Sequence, residues 1–428
     1  MTPESFPSRE AIVAQQLPRL RRLLHTLAAT NPFYASRLRR ACLPAELKDL
    51  DDFFLRMPFT RKEEIAADQA EHPPYGTNLT YPLTAYNRFT QTSATSGQPL
   101  RWLDTPESWQ WMLDNWKQVF AAAEVEPRDA VYFAFSFGPF LGFWTAYEAA
   151  CQMGCRSLPG GGLSSLARLQ TIRDNRVDVL CCTPTYALHL GQVAAEQGID
   201  LAGLSVRTII VAGEPGGSVP ATREQIETTW PRAAVFDHHG MTEVGPVTYQ
   251  CPGRPCTLMV IESSYIAEII DPRGERPVPR GEVGELVLTT LGRLGSPLVR
   301  YRTGDLVREN LDIAPSEGRH EMALRGGILG RVDDMVLVRG VNLYPAAVEN
   351  LMLSLAEVAA YQVEVDSRGP MVELHLRIEP AAAGNAAELA SRVQSQFRAA
   401  FNLRVPVTVC PAGTLPRGEM KSRRWVRR

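Results

Sequence analysis

A loop rich in hydroxyl side chains, Thr92–Pro99, has the composition of a phosphate-binding loop. It reads Thr-Ser-Ala-Thr-Ser-Gly-Gln-Pro, and its Gly97 and Pro99 interrupt both helices and strands. The hydroxyls and free backbone N–H groups of such a loop can surround one point, which suits the oxygens of a phosphate. The Gly-Lys-[Ser/Thr] ending of a Walker A loop is absent, and an ordinary Ser/Thr-rich surface loop would have the same composition.

Two further motifs follow apolar runs that are typical of strands. Val211-Ala-Gly-Glu-Pro215 ends one run in a glycine turn, and Phe236-Asp-His-His-Gly-Met-Thr-Glu243 contains the end of another. Ligands bind at the carboxyl ends of parallel strands in α/β folds. A Thr hydroxyl beside a carboxylate suits a phosphate with Mg²⁺, which prefers oxygen ligands. His238 and His239 are adjacent and would point in different directions on an extended chain, so a transition-metal site is not favoured.

Four motifs in the last third of the chain contain glycine and are typical of turns. Asp305 ends the run Tyr-Arg-Thr-Gly-Asp, where its carboxylate could bind paired ribose hydroxyls. Gly330-Arg-Val-Asp-Asp-Met335 precedes Arg339-Gly-Val-Asn-Leu-Tyr-Pro345, and Lys421 ends the run Pro-Arg-Gly-Glu-Met-Lys. Taken alone, Asp305 and Lys421 are more typical of solvated turns, because Asp and Lys are mostly exposed.

Alternating strand and helix patterns position these motifs. Residues 131–212 alternate short apolar runs with helical spacing, which indicates a layered α/β domain with a largely parallel sheet. We predict an α/β protein whose large N-terminal domain, residues 1–332, has layered, mostly parallel sheets with helices plus an antiparallel subdomain. A small α+β C-terminal domain would comprise residues 333–428. A short helix within residues 51–69 is predicted to have Thr60 as its N-cap and Glu63 as its capping-box partner.

Composition argues against several classes of protein. With 45 basic and 47 acidic residues among 428, the net charge of −2 gives no electrostatic reason to bind nucleic acid or an anionic membrane. Residues 130–147 carry no charge but contain Gly and Pro, so we interpret them as a buried strand, a turn and a helix start rather than a membrane span. Eight scattered cysteines and an N-terminus without an apolar leader predict reduced thiols and a cytoplasmic location.

The order and spacing of the motifs resemble the adenylate-forming superfamily of acyl-CoA synthetases, peptide-synthetase adenylation domains and luciferases. The phenylacetate-CoA ligase branch is the most similar, because it is short and has motifs of the types Tyr-Arg-Thr-Gly-Asp, Gly-Arg-x-Asp-Asp-Met and Arg-Gly-Val-Asn in this order. The resemblance runs from about Thr60 to the end of the chain. It implies an acid–thiol ligase that uses ATP, Mg²⁺ and CoA to form an acyl-AMP and then an acyl-CoA.

The resemblance also implies a role for each motif residue. The residues that would bind ATP or AMP are Thr92, Ser93, Thr95, Ser96, Gly97, Gly213, Glu214, Pro215, Asp237, His238, Asp305 and Arg331. Thr242 would contact the α-phosphate, Glu243 would hold Mg²⁺, and Lys421 would bridge the substrate carboxylate and the α-phosphate. Asp333 would be the hinge of a mobile C-terminal domain, and Gly340 would line the tunnel for the CoA arm.

Three departures from the family pattern are visible. The hydroxyl loop has Ala94 where a Gly is usual and Gln98 where a Lys is usual, so the phosphates lose one ammonium contact. His239 stands where a Tyr is usual, which changes the predicted acyl pocket. Some relatives have a structural zinc site of Cys, His and Cys-x-Cys, but here Met259 replaces the His and the Cys-x-Cys pair is missing, so we predict no zinc.

The acid is predicted from aromatic residues near Gly138. The residues that would line the acyl pocket are Phe135, Phe137, Gly138, Phe143, Ala212, His239, Gly240 and Met241. A flat aromatic acid suits such walls, and His238 and His239 could receive an amino or hydroxyl group. Anthranilate is therefore the first choice, followed by benzoate and phenylacetate, although core packing alone would also explain the phenylalanines. Transfer to a carrier-protein phosphopantetheine or an amine, and nucleotide binding without catalysis, are the alternatives.

Overall fold

The structure is a computed structural model of the 428-residue chain. It describes residues 7–43, 47–92, 98–313, 319–334, 336–338, 341–343, 345–366, 368, 372–381, 385–415 and 424–427.

Two helices at the N-terminus pack as a pair beside the antiparallel part of the fold. They are α1 (Arg9–Thr30) and α2 (Pro32–Arg40). Leucines of α1, including Leu20 and Leu27, are fully buried and pack in one core with residues that include Ile266. The two helices therefore pack against the sheets, and none of the predicted site residues lies in them.

The predicted cap at Thr60 is wrong. The chain forms α3 (Leu50–Arg56) and α4 (Lys62–Glu71), and Thr60 lies between them. Its backbone pairs with a later strand instead. Arg61 is the N-cap of α4, and its backbone N–H donates to the Glu64 carboxylate at 2.7 Å, one residue beyond the predicted partner.

A parallel sheet forms the centre of the large N-terminal part. The elements here are β1 Arg88–Gln91, β2 Arg101–Asp104, α5 Pro106–Ala122, β3 Ala130–Phe133, α6 Trp144–Met153, β4 Arg156–Pro159, α7 Ser165–Asp174, β5 Val179–Cys182, α8 Pro184–Glu196, β6 Thr208–Val211, α9 Pro220–Thr229 and β7 Ala234–Asp237. β1 and β2 form an antiparallel hairpin. The other strands lie in the order β4-β3-β5-β6-β7, each parallel to its neighbours.

The central strands of this sheet are apolar along their whole lengths. Every residue of β3, β5 and β6 is buried, as expected for a parallel sheet that is covered on both faces. The uncharged stretch 130–147 forms β3, a turn and the start of α6, as predicted. Among the described residues, no helix combines the length and the apolar character that crossing a membrane requires.

The antiparallel part follows the parallel sheet. Its strands are β8 Gly240–Met241, β9 Gly245–Pro246, β10 Thr248–Gln250, β11 Thr257–Val260, β12 Tyr265–Ile270, β13 Val283–Thr290, β14 Tyr301–Arg308, β15 Ala323–Arg325 and β16 Gly330–Arg331. β8 pairs with β9, a second sheet has the order β10-β11-β15, and a third has the order β12-β13-β14-β16. The third sheet brings Asp305 directly opposite Arg331.

The C-terminal part is a separate α+β unit with its own core. Its elements are β17 Val336–Val338, β18 Val341–Leu343, α10 Pro345–Leu353, β19 Val358–Asp366, β20 Glu373–Pro380, α11 Ala386–Phe401, β21 Val407–Val409 and β22 Trp425–Arg427. β17 pairs with β18, and the larger sheet has the order β21-β20-β19-β22. The predicted fold class is confirmed, with the detail that the C-terminal sheet is mixed, because β19 pairs with β22 and β20 with β21 in parallel. A boundary at residue 333 stays a prediction.

Candidate active site

The two strand-end motifs meet at the carboxyl edge of the parallel sheet. β6 ends at Val211 and β7 ends at Asp237. The two strands are still paired at these ends, because His238 N donates to Val211 O at 3.1 Å. Gly213 has a φ of +92°, a left-handed conformation that glycine adopts without a Cβ penalty. Both motifs are thus presented at the edge where α/β folds bind ligands.

The carboxylate of Glu214 is already engaged within the protein. Its Oε1 accepts hydrogen bonds from the backbone N (2.8 Å) and the hydroxyl (2.5 Å) of Thr185, in the first turn of α8. Unpaired N–H groups and the helix dipole stabilise a carboxylate at that position. A contact between adenine and Gly213, Glu214 and Pro215 would therefore use their backbone rather than this carboxylate.

Asp237 is buried and holds the turn that follows β7. Its carboxylate accepts hydrogen bonds from the Ser218 hydroxyl and from the backbone N of His238 (3.0 Å). Burial raises the pKa of Asp237. A Cβ on Gly327 would lie 3.2 Å from its Oδ2, so the surrounding backbone approaches closely. These contacts account for Asp237 structurally, and its predicted contact with the nucleotide stays a prediction.

His238 is a neutral imidazole fixed in one tautomer. Its Nδ1 lies 2.6 Å from the carbonyl oxygen of Thr248, to which only a protonated nitrogen can donate. The ring packs on Trp116 with centroids 4.3 Å apart. Burial lowers the pKa of His238 to about 3. Nε2 is consequently left as a hydrogen-bond acceptor.

A buried ion pair fixes the turn that carries Thr242 and Glu243. The Arg293 guanidinium donates to both of their carbonyl oxygens, at 2.8 and 2.7 Å. Arg293 is itself held in a two-pronged contact with Asp104, at 2.7 and 2.6 Å, and both side chains have no exposed surface. The positions of the Thr242 and Glu243 side chains thus depend on the ion pair of Arg293 and Asp104. The sequence reasoning missed this pair.

A weak sequence signal for Arg293 exists. It is the one charged residue between Glu285 and Arg300, in an otherwise uncharged run. A lone charge in such a run requires a buried partner, but the sequence does not reveal that this partner is Asp104.

Glu243 lies beside a second residue that the sequence reasoning missed. Lys62 Nζ, at the start of α4, is 3.4 Å from Glu243 Oε1. The Glu243 side chain is 6% exposed, whereas the Lys62 side chain is 47% exposed. The largely buried Glu243 carboxylate is therefore paired with the Lys62 ammonium, whose side chain is also accessible from solvent.

Asp305 is placed between two cationic or polar partners. Arg331 Nη1 donates to its Oδ1 at 2.9 Å, and His239 Nε2 stands 3.2 Å from its Oδ2. Among the described residues, neither Oδ2 nor His239 Nε2 completes a hydrogen bond, although both atoms are buried. Gly304 has a φ of +75°, and a Cβ there would meet Arg331 Nη2 at 2.7 Å. The unpaired oxygen could accept a hydrogen bond from a ribose hydroxyl.

Aromatic rings stand beside this edge of the sheet. We call Phe135, Phe137 and Phe143 the aromatic wall. Phe135 contacts the other two rings edge to face, with centroids 5.4 and 5.9 Å away. Phe143 also contacts Trp116, the residue that supports His238. The aromatic wall and the neutral imidazole are thus linked through one tryptophan.

Glycines set the shape of the wall and of the neighbouring turn. Gly142 has a φ of +39°, and a Cβ there would overlap the Phe135 ring. Gly138 accepts a hydrogen bond from Trp144 Nε1 at 3.0 Å. A Cβ on Gly240 would meet the carbonyl oxygen of Gly245 at 2.9 Å. Ala212 and Met241, also predicted for the acyl pocket, are partly buried beside the same core.

Several predicted site residues lie outside the described residues, namely Ser93, Thr95, Ser96, Gly97, Gly340 and Lys421. Thr92 is described, and its hydroxyl accepts a hydrogen bond from Leu100 N at 3.0 Å where the hairpin closes. Asp333, the predicted hinge, is exposed, and its carboxylate lies 4.0 Å from Arg331.

The C-terminal part approaches the same edge. Glu349 on α10 forms an ion pair with Arg424, and burial raises its pKa, with the nearby Glu214 carboxylate acting in the same direction. Arg424 also lies over the Tyr361 ring, 5.0 Å from its centroid. Arg424 is three residues beyond Lys421 in the sequence.

Comparisons with known proteins agree along the whole chain. Residues 92–292 match the family described as AMP-binding enzyme, and residues 340–428 match the AMP-binding enzyme C-terminal domain. A phenylacetate-coenzyme A ligase of Thermus thermophilus is 30% identical over 438 residues, covering 97% of this chain and 96% of the relative.

A solved 2-hydroxyisobutyryl-CoA ligase has a similar structure in one of its states. In its postadenylation state with 2-HIB-AMP it is 27% identical, with a TM-score of 0.91 over 99% of this chain and 90% of that one. In its thioesterification state with 2-HIB-AMP and CoA the TM-score is 0.72, at 26% identity over 100% and 94% of the two chains. Identity and coverage barely differ between the two comparisons, so the TM-score distinguishes two states of the same ligase.

Proposed function

The chain belongs to the family of AMP-binding enzymes, in the branch of the phenylacetate-coenzyme A ligases, and on this premise we propose that it activates an aromatic carboxylic acid for transfer to CoA. It is an acid–thiol ligase that works through an acyl-AMP, as the relatives over its full length indicate. The observation that carries the aromatic part of the proposal is the aromatic wall beside the nucleotide motifs.

The reaction divides one difficult substitution into two easier ones. A carboxylate oxygen attacks the α-phosphorus of ATP in line, the O–P bond forms, and pyrophosphate leaves. The thiolate of CoA then attacks the carbonyl carbon, the C–S bond forms, and AMP leaves with the electron pair of the broken C–O bond. The protein must stabilise negative charge on the phosphates in the first step.

We assign the nucleotide contacts to the groups that the fold brings together. Asp305 would accept hydrogen bonds from the ribose hydroxyls, which is supported by its buried Oδ2, an atom that makes no hydrogen bond among the described residues although His239 Nε2 lies 3.2 Å away. Arg331, on the neighbouring strand, would keep that carboxylate oriented. Thr242 would contact the α-phosphate, and Lys421 would bridge it to the substrate carboxylate.

The donor set at Glu243 fits Mg²⁺. This ion is commonly bound by one or two carboxylates together with substrate phosphates, and Glu243 and Thr242 supply a carboxylate and a hydroxyl at the phosphate end of the site. When bound there, Mg²⁺ would neutralise phosphate charge. Among the described residues, no three His, Cys, Asp or Glu side chains cluster as a metal site, and the prediction of no zinc stays a prediction.

The identity of the acid is the finer part of the proposal. We place phenylacetate and its ring-hydroxylated or amino-substituted forms first, because the relatives that match over nearly the full length are phenylacetate-coenzyme A ligases. The sequence-based first choice, anthranilate, and benzoate come next. The Nε2 acceptor of His238 supports an acid with a hydrogen-bond donor on the ring.

CoA is the acceptor that we propose for the acyl group. The relatives are CoA ligases, which supports CoA over a carrier protein. The C-terminal domain would rotate about Asp333 between the two steps, which is supported by the two arrangements in which the 2-hydroxyisobutyryl-CoA ligase has been solved. A cytoplasmic location is consistent with the eight cysteines, none of which forms a disulfide.

Incubation with ATP, CoA and a panel of acids tests the proposal. Acyl-CoA and AMP would be measured by mass spectrometry, and acid-dependent exchange of pyrophosphate into ATP would report the first step alone. We expect aryl acids to react fastest. Faster turnover of short aliphatic acids would show that the aromatic wall is core packing, and an absence of exchange with every acid would contradict adenylation itself.

A further inference from the structure

Lys62 is held at the phosphate end of the site by pairing between distant parts of the chain. The backbone N of Thr60 donates to Arg300 O at 2.9 Å, and Arg302 N donates to Thr60 O at 3.0 Å. The Thr60 hydroxyl donates to Val299 O at 2.7 Å. Thr60 is completely buried, so α4 starts two residues later in a defined place beside β14.

The type of residue at position 62 is informative. The chain has 45 basic residues, but its lysines are only Lys48, Lys62, Lys117 and Lys421. Lysine carries a compact charge with three donors, whereas arginine presents a planar fork. Most basic residues of this chain are arginines, but the residue beside Glu243 is a lysine. Its ammonium can donate hydrogen bonds to several oxygens at once.

The hydroxyl loop lacks the ammonium that a lysine would provide. Gln98 stands at that position and is exposed at the end of the loop. Lys62, at the start of α4, lies beside the proposed Mg²⁺ ligand: its Nζ is 3.4 Å from Glu243 Oε1, and its side chain is half-exposed. The loop sequence therefore lacks one cation, and an accessible one lies beside Glu243.

We propose that Lys62 is a catalytic residue of the adenylation step, whose ammonium binds the β- and γ-phosphate oxygens of ATP in place of the lysine that the loop lacks at Gln98. The inference rests on the proposed function of the site. The ammonium stabilises the charge that develops on pyrophosphate as the bond to the α-phosphorus breaks. Without nucleotide it stays paired with Glu243, so that this carboxylate is not buried alone.

The test compares Lys62→Met with Lys48→Met, a matched loss of one ammonium from an exposed lysine beside Asp52. Pyrophosphate exchange with the best acid gives kcat/KM for ATP, and chemically prepared acyl-AMP with CoA gives the second step alone. We expect Lys62→Met to lower kcat/KM for ATP about 10- to 100-fold, the effect of one lost charge-assisted hydrogen bond. Transfer from acyl-AMP should be unchanged, and Lys48→Met should behave like the unaltered protein. The melting temperature of Lys62→Met should fall, because the Glu243 carboxylate loses its partner.

A compensating variant separates a phosphate contact from support of Glu243. Adding Gln98→Lys to Lys62→Met should recover most of the lost kcat/KM for ATP, since it returns an ammonium to the loop without touching Glu243. Titration with inorganic pyrophosphate should show weaker binding to Lys62→Met and recovery in the double variant.

Three results would overturn the inference. An unchanged kcat/KM for ATP in Lys62→Met would show that the ammonium does not contact the phosphates. Equal losses in both steps would assign Lys62 a structural role. A loss of adenylation that Gln98→Lys cannot restore would mean that Lys62 acts only through Glu243. Failure of the proposed function is distinct, because the unaltered protein would then show no exchange with any acid.

Discussion

The proposed nucleotide side and the proposed acid side of the site are built in different ways. On the nucleotide side, the completely buried pair of Arg293 and Asp104 fixes the backbone of Thr242 and Glu243 through directed hydrogen bonds. On the acid side, the aromatic wall is held by edge-to-face ring contacts and by a left-handed glycine, Gly142. Charged, directional hydrogen bonds thus hold the first side, whereas apolar packing of rings holds the second.

The difference bears on which side can change its substrate. Breaking one partner of a buried ion pair leaves the other charge unpaired and is strongly destabilising, whereas apolar walls tolerate substitutions that conserve volume. The same nucleotide chemistry can therefore serve different acids. Consistent with this, the relatives include ligases named for phenylacetate and for 2-hydroxyisobutyrate.

The largest effect is expected for Lys421, the residue predicted to join the two sides. Lys421→Ala should lower acyl-AMP formation at least about 1000-fold, because it removes a cation that contacts both reacting groups in the transition state. CoA transfer from supplied acyl-AMP should stay within about threefold of the unaltered protein, because the C-terminal domain is expected to have rotated by then. Pyrophosphate exchange and thioester formation measure the two steps separately.

Gly340→Leu is the matched opposite case. Its side chain would obstruct the tunnel for the CoA arm, so thioester formation should fall while exchange is retained. If both variants lose the two steps equally, the steps share one arrangement and the hinge at Asp333 is wrong.

The second effect tests the buried pair on the nucleotide side. Arg293→Met should lower the free energy of unfolding by about 3–5 kcal/mol, because Asp104 is left buried without its partner. Adenylation should fall as well, since the carbonyls of Thr242 and Glu243 lose their donors. Urea unfolding and pyrophosphate exchange provide the two measurements.

The double variant Arg293→Met with Asp104→Leu distinguishes the two consequences. It removes both charges, so a large part of the stability should return, but the two carbonyls remain without donors and adenylation should stay low. Recovery of both stability and exchange would show that the pair has no role in holding the turn.

The motifs were predictable from the sequence because each is local. A strand followed by a glycine turn and a polar residue places Gly213 or Thr242 at a sheet edge without knowledge of distant partners, and the structure has them there. The same holds for the alternation that indicates the parallel sheet. The fold class and the neighbourhood of the site followed from such local patterns.

What could not be predicted depends on residues far apart in the chain. Arg293 and Asp104 are separated by 189 positions, and no periodicity links them. The local sequence around Thr60 fits a helix cap, yet the backbone of Thr60 pairs with Tyr301. That tertiary pairing also placed Lys62 beside Glu243, so the error at Thr60 concealed a candidate catalytic residue.

A smaller effect is expected where the two sides meet, at His238. Replacing His238 by Leu removes the acceptor Nε2 while keeping a side chain of similar bulk against Trp116. The ratio of kcat/KM for ring-hydroxylated phenylacetate to that for phenylacetate should fall about tenfold, the value of one hydrogen bond to a buried acceptor. Pyrophosphate exchange with the two acids is the measurement, and an unchanged ratio would place His238 outside the acid pocket.

The smallest effect is a dependence of stability on pH. Because burial lowers the pKa of His238 to about 3 from an ordinary 6.5, the folded protein keeps the imidazole neutral while the unfolded chain takes up a proton below pH 6.5. The contribution of the neutral His238 to the free energy of unfolding is therefore fully present above pH 6.5. It is lost as the pH falls towards 3, at about 1.4 kcal/mol per pH unit.

Comparison with His238→Phe isolates this contribution. Between pH 7.5 and pH 5.5 the unaltered protein should lose about 1.4 kcal/mol more than the variant, measured by urea unfolding at each pH. Glu321, whose pKa burial raises to about 7, acts in the opposite direction, because the folded protein keeps its proton to higher pH. Glu321 is present in both proteins, so its contribution to the free energy of unfolding cancels in the difference. Equal pH dependence in both proteins would mean that His238 accepts a proton without unfolding, in which case its Nε2 could not serve as a fixed acceptor on the acid side.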